Sequence, residues 1–460
     1  MCSTLQRVCF VLLVILMNIP TDLDAKVMRK KRKRRLQGQS QVLKKKRRKY
    51  HNNTPQITCK EAVPEFSKTI CRFFEDHELS DVQKRGDNHI VWTKEATDPF
   101  GELIVSWNAL RPSQGYIAIW VSVLHHGNWS SWHRLAVWGR KLQKTFLHKT
   151  HPIVHTLHSR VELQNGNLAR GFKIKVTFHK GAKPPILKAL FGCISRLNQH
   201  KIIHPDQTLP TAIIKKGHTK ISQFMLNHER KKDICSPVST AMMVSYFHQK
   251  QYGTIPHHSM PDYALSFAHN VLDQSYLNIF GNWMLNTAHA FDAMNGEVYF
   301  SVQRLNSFYD LHHYISNKIP VVVSVRRLPG GATPYAGGHL LMVTGWNSET
   351  KSVICIDPAF SPHHATLKSY PLMHFIRAWG RSSNLSYVPM LKSMLTQKRT
   401  HICTLEKTDC TTANNDPLLA LSTTDLLSTD LEQLDIASLQ SLPISNTSEE
   451  YVPVDELVQT

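Results

Sequence analysis

Beyond residue 17, no stretch of the 460-residue chain approaches the roughly 18 consecutive apolar residues that a membrane-crossing helix needs. No span is therefore expected after the N-terminal segment. Cys-x-x-Cys pairs are also missing, and none of the nine cysteines stands at metal-ligand spacing from the 27 histidines. Neither a metal centre nor another cofactor is expected. Acidic residues are absent from residues 26–49, and Lys and Arg are absent after Lys407. These one-sided charge gaps mark both ends of the chain as different from its middle.

Residues 1–25 carry a cation at Arg7, ten apolar residues from Val8 to Met17 and a small residue at Ala25. That is the pattern of a secretory signal peptide, too short in its apolar part to span a bilayer. A secreted or periplasmic destination follows, with a retained N-terminal anchor as the alternative. Residues 26–58 form a basic arm without hydrophobic periodicity, expected to be disordered. Its 14 basic residues between 26 and 49 account for most of the formal +21. They suit an anionic surface such as phospholipid or cell-wall polymer, or nucleic acid. The tail, 393–460, is acidic and expected to be disordered. Cys59 with Cys71, and Cys403 with Cys410, are close enough in sequence to close small disulfide loops after export.

Between these ends two textures succeed one another. Residues 59–197 hold short runs rich in β-branched and aromatic residues, such as GELIVSWNAL, GYIAIWVSVLH and ARGFKIKVTF, split by turn signals such as RPSQG and QNGN. Apolar–polar alternation from Tyr116 to Val123 suits a half-buried strand, and an all-β sandwich-like domain is expected. Trp107, Trp120, Trp129, Trp132 and Trp138 are read as sandwich core, with a carbohydrate-stacking surface as the alternative. Residues 198–392 change to a helix followed by strands, an α+β arrangement. Residues 236–250 are apolar on nearly every face, as a helix buried at a domain centre must be. Ser236 or Asp233 is placed to cap it, Pro237 fits its first turn, and Gly253 follows its end.

The chemistry gathers in this second part. Cys235 opens the buried helix, where unpaired N–H groups and the aligned peptide dipoles favour a thiolate. His339 follows two glycines at the start of an apolar strand, and Gly338 lets a substrate backbone approach closely. Asp357, about one hairpin later, is placed to accept from the imidazole and fix its tautomer. Gln223, twelve residues before Cys235, is a candidate oxyanion donor. The order Gln, Cys, His, Asp in these contexts is the papain-type arrangement.

The strings CSPVSTAMMVSYF, GNWMLNTAHAF, IPVVVSV, GGHLLMVTGW and IDPAF resemble the stand-alone, exported relatives of the bacteriocin-processing (double-glycine) cysteine peptidases. The stretch FGELIVSWNALRPSQGYIAIWVSV resembles the β-domain that precedes the peptidase domain in many of those bacterial proteins. The resemblance spans about residues 85–392. It implies a papain-like cysteine peptidase domain with Cys235 as nucleophile, His339 as base and acid, Asp357 as orienter and a peptide or protein as substrate. GNWMLNTAHAF is expected to line the groove, Asn282 and Trp283 holding substrate, with a core role for Trp283 as the alternative. The basic arm and acidic tail depart from the family, and no transporter or nucleotide-binding domain is present, so leader removal coupled to export is not expected. The competing reading is a non-catalytic protein that binds a surface polymer or nucleic acid through the β-domain and the arm.

Overall fold

The computed structural model describes residues 65–205, 209–256 and 259–391, all within the unit Val63–Thr460. The signal segment, the basic arm, the tail, Cys59, Cys403 and Cys410 lie outside the described residues. Among the described residues, no helix is long and apolar enough to cross a membrane.

Twelve strands and one helix come first: β1 (Ser67–Phe73), α1 (Asp76–Lys84), β2 (His89–Lys94), β3 (Glu102–Ala109), β4 (Tyr116–His125), β5 (Asn128–Trp129), β6 (His133–Gly139), β7 (Gln143–Thr145), β8 (Leu147–His148), β9 (Val154–Leu157), β10 (Val161–Leu163), β11 (Gly171–His179) and β12 (Leu187–Ser195). They build two antiparallel sheets, ordered β1-β12-β3-β10-β9-β8 and β2-β11-β4-β6-β7, with β5 on the edge of β4. Period-2 patterning makes the layers. On β11, Phe172, Ile174, Val176 and Phe178 are buried while Lys173, Lys175 and Thr177 are not. The inward residues join Leu103, Val105 and Trp107 of the first sheet in one core. Trp107 and Trp138 meet edge-to-face in it, 6.3 Å apart. Trp120, Trp129 and Trp132 are half-exposed instead, so the five tryptophans divide between core and surface.

Strand β3 is buried along its whole length, because its second face is covered too. That cover comes from one helix and one strand, α4 (Trp283–Ala293) and β14 (Val298–Arg304), of a second part. This part also comprises α2 (Cys235–Tyr252), α3 (Met260–His269), α5 (Phe308–Ser316), α6 (Leu372–Gly380) and the rest of a third sheet. The strands of this sheet are β13 (Ala212–Ile213), β14 (Val298–Arg304), β15 (Val321–Val325), β16 (His339–Asn347), β17 (Ser352–Ile356), β18 (Leu367–Pro371) and β19 (Leu385–Leu391). Its order is β14-β19-β15-β16-β17-β18, with β13 on β16, and all its pairings are antiparallel. This part is α+β, with more helices and strands than the sequence announces.

The seam between β3 and β14 carries several buried, paired polar groups. Asn108 donates Nδ2 to the Phe300 carbonyl at 2.7 Å and accepts the Phe300 N–H at 2.8 Å. The Val302 N–H donates to Ser106 Oγ at 3.1 Å. Glu102, 1% exposed, receives a two-pronged grip from Arg304 at 2.6 and 2.8 Å and a further bond from Ser195 Oγ at 2.8 Å. Burial pushes the Glu102 carboxyl up, but Arg304, Arg160 and Ser195 outweigh it and hold it below its ordinary value.

Candidate active site

Every residue of α2 from Ser236 to Phe247 is buried, as its lack of a polar face requires. Cys235 is its first residue and is only half-buried. The residue ahead of the helix is Ile234, and no side chain caps the start. Both capping expectations fail, because their side chains have other partners. Ser236 Oγ pairs with Tyr387 Oη at 3.0 Å, and Asp233 accepts from Arg230 Nε at 3.0 Å. The first-turn N–H groups around Cys235 therefore have no acceptor inside the helix. At the other end Gly253 takes φ +72°, the left-handed closure that glycine permits.

Ser239 Oγ donates to the Leu340 carbonyl at 3.0 Å, tying α2 to β16 one residue past His339. Register does the rest. Met342 pairs with Ile356, which puts Asp357 opposite Leu341, on the face that His339 shares two residues away. His339 Nε2 and Asp357 Oδ1 are 2.7 Å apart. Burial works to lower the imidazole pKa. The Asp357 charge and the facing Cys235, with the hydrogen bond to Asp357, overcome it and raise His339 to about 10. With Nε2 on Asp357, Nδ1 is the ring nitrogen left for Cys235.

Asp357 is itself enclosed by donors. Tyr335 and Tyr370 hydroxyls donate to Oδ2 at 2.9 and 2.7 Å, and the Ala359 N–H donates to Oδ1 at 3.0 Å. Burial raises this carboxyl, but the His339 charge and these bonds win and lower it. Burial, and then the facing carboxylate, push both tyrosine hydroxyls far up, so they remain protonated donors. Tyr335 also stacks on His339, with centroids 4.1 Å apart and planes at 15°. The loop that carries it needs its glycines. A Cβ on Gly331 would collide with the Tyr335 ring, and Gly338 has φ +103° immediately before His339.

Gln223 lies beside this cluster by its backbone, whose N–H donates to the Pro358 carbonyl at 2.9 Å, next to Asp357. Its side chain is engaged differently from the expectation. Nε2 donates to the Lys231 and Lys232 carbonyls at 2.8 and 3.1 Å, so both amide hydrogens brace the loop leading into Cys235. Gln223→Ala should lower the melting temperature and slow alkylation of Cys235 together. Unchanged alkylation with a hundredfold or so lower turnover would instead identify a direct oxyanion contact.

Asn282 and Trp283 form the start of α4 rather than an open loop. Asn282 is buried and gives Nδ2 to Asp273 at 2.9 Å and to Thr145 at 3.3 Å. The Trp283 ring lies under the guanidinium groups of Arg160 at 5.8 Å and Arg304 at 6.0 Å. These contacts run to Asp273 just upstream, to the sandwich and to its seam, and none of them reaches Cys235, His339 or Asp357. Gly338 is exposed, next to His339 in the chain. Tyr335 and Tyr370 are site residues that sequence reasoning missed. Neither has a periodic or motif signal, although Tyr335 stands four residues before His339 in PYAGGH.

Cys193 and Cys355 are buried and carry no disulfide. Burial raises both thiols, well above the ordinary value for Cys355, where Asp357 adds to the effect. They are poor nucleophiles beside the half-exposed Cys235.

A family model described as "Peptidase_C39 like family" matches residues 218–387, from just before Gln223 to Tyr387. The match supports a relationship to these papain-like cysteine peptidases and suggests cysteine peptidase activity. No curated protein and no solved structure matches the chain. Strands β1–β12 lie outside the matched residues.

Proposed function

We propose that the chain hydrolyses peptide bonds as a cysteine peptidase, with Cys235 as nucleophile, His339 as base and acid and Asp357 as orienter. The observation that carries this reading is the 2.7 Å His339–Asp357 contact, made by an imidazole whose pKa the nearby Cys235 also raises. His339 Nδ1 already holds the proton given up by the thiol when sulfur attacks the substrate carbonyl carbon. The negative oxygen of the tetrahedral intermediate lies against the Cys235 backbone N–H in the first turn of α2. His339 then gives its proton to the leaving amine as the C–N bond breaks. Water, deprotonated by the same nitrogen, attacks the thioester, releasing the acid and restoring the thiol. An amine in place of that water would give acyl transfer with the same groups.

Asp357 keeps the imidazole turned so that Nδ1 faces sulfur, and the Tyr335 ring covers one face of it. The exposed Gly338 backbone is proposed to run along the substrate peptide. Residues 1–25 are proposed as an export signal, and residues 26–49 as a tether to an anionic surface or nucleic acid.

The test is the rate of Cys235 alkylation by iodoacetamide as a function of pH, in wild type and His339→Ala. We expect labelling near pH 6 to fall at least about tenfold in the variant. Identical pH profiles in the two proteins would overturn the peptidase reading.

A further inference from the structure

The second sheet has a solvent face that sets cations against aromatic rings. None of its strands, β2, β4, β5, β6, β7 or β11, contains an Asp or Glu. Register sets cations beside an indole: Trp120 pairs with Lys175 on one side and Arg134 on the other. Lys175 Nζ stands 5.4 Å from the Trp120 ring and 4.4 Å from Trp132. The Arg134 guanidinium lies 5.3 Å from Trp120 and 4.3 Å from Phe146. The Trp120 N–H is held by Thr177 at 3.2 Å, which fixes the indole plane.

Next to these rings is a pocket of about 450 Å³, lined by Trp120, Trp132, Arg134, His133, His148 and His151, with Ser131 and Thr150 at its rim. Two of its polar groups have no protein partner. His133 is 8% exposed and its Nε2 makes no hydrogen bond, and the buried Arg134 Nε makes none. A buried polar atom left in that state costs free energy unless a ligand or water meets it. His151 Nδ1 accepts the N–H groups of Ile153 at 3.1 Å and Val154 at 2.9 Å. Its proton is thereby placed on Nε2, a donor. Burial, then the neighbouring imidazoles of His151, His148 and His155, hold His133 down at about 4, so it is uncharged near neutrality.

The donor set defines the ligand. No group of three His, Cys, Asp or Glu able to hold a metal ion occurs among the described residues. No carboxylate or carboxamide lines the pocket, so the bidentate acceptors by which neutral sugars and base edges are commonly read are missing. What remains is one guanidinium, imidazole and hydroxyl donors, and indole surfaces. This suits one negatively charged group attached to a ring with an apolar face. A single guanidinium lines the pocket, whereas a nucleic-acid strand calls for a track of cations along its phosphates.

We propose that this pocket binds an acidic sugar residue, a uronate or sulfated hexose within an anionic polysaccharide. The sugar ring stacks against Trp132 and Trp120, and its charged group is met by Arg134 and His151. The sandwich would then hold the chain on a polymer through a site separate from Cys235, whether or not that cysteine is catalytic.

The experiment is calorimetric titration of the full chain at physiological salt with four probes. These are a galacturonate hexamer, a sulfated heparin hexasaccharide, neutral maltohexaose and a ten-residue oligothymidylate. The basic arm is common to every protein compared, so the ratio of variant to wild type reports on the pocket. We expect at least one acidic hexasaccharide to bind and to be weakened about tenfold or more by Arg134→Ala and Trp132→Ala. Which of the two does so separates carboxylate from sulfate recognition. Thr150 is exposed, so Thr150→Glu, which leaves the core untouched, should also lose binding about tenfold by repulsion. Acidic-sugar binding unchanged in Thr150→Glu and Arg134→Ala overturns the proposal, as does a loss confined to the oligothymidylate.

Discussion

Asp357→Asn should lower turnover by about two to four orders of magnitude, although the side chain changes by a single atom type. Every group around the native carboxylate is a donor: His339 Nε2, the Ala359 N–H and the hydroxyls of Tyr335 and Tyr370. An amide presents an N–H₂ to two of them, so one edge of the enclosure must meet donor with donor. The imidazolium also loses its counter-charge, and burial, which lowers the His339 pKa, is left opposed only by Cys235. The pH signature follows. His339, raised from 6.5 to about 10, adds stability that is fully present below pH 6.5 and lost as pH rises through 10. Asp357, depressed below 3.8, adds stability that is present above that value and lost as pH falls beneath it. The wild-type melting temperature should therefore exceed that of the variant across this window and converge with it at both ends. A constant gap across pH, with turnover within tenfold of wild type, would show that the carboxylate charge does not support the imidazole.

Arg304→Met should be the most damaging single change to stability outside the site, by about 3–5 kcal/mol. That corresponds to a melting-temperature loss of roughly 5–10 °C for a unit of this size. The substitution strands Glu102 in the seam, 1% exposed, with Arg160 at 3.6 Å as the remaining cation. It also releases the Ser382 and Ser383 carbonyls, which Arg304 holds at 2.9 and 3.1 Å. Adding Glu102→Gln should restore much of the loss, because most of the cost is the unpaired charge. Acid provides an independent check. The Glu102 carboxyl is held below its ordinary 4.5, so its contribution is present above that pH and lost below it. The gap between wild type and Arg304→Met should narrow as the pH falls towards 3. Additive effects of the two substitutions would mean that the pair is not coupled.

What the sequence discloses of this molecule is what a short window contains. The helix of Cys235 is legible because SPVSTAMMVSYF has no polar face, and β4 because its apolar residues alternate. His339 and Asp357 are legible because a hairpin of ordinary length brings the start of one strand to the end of the next. Tyr335 and Tyr370 become site residues only when the loop and β18 fold over Asp357, and neither string records that. Glu102 and Arg304 stand 202 positions apart, and nothing near either marks it as half of a buried pair. GNWMLNTAHAF misleads for a related reason. Its Asn and Trp look like groove residues, but they open a helix whose partners include Thr145 and Arg160 from remote segments.

Strand β3, covered on both sides, also bears on the timing of assembly. Chains fold broadly from the N-terminus as they are made, and β1–β12 are complete before α2 or β14 has been synthesised. Until β14 arrives, Glu102 waits without Arg304, and Asn108 without the Phe300 backbone. The wall of the sandwich is thus made well before the strand it packs against, over a hundred residues further on. A lesion there would delay the later part of the chain before it touched any reacting atom, and its mark would be poor yield with normal turnover per folded molecule.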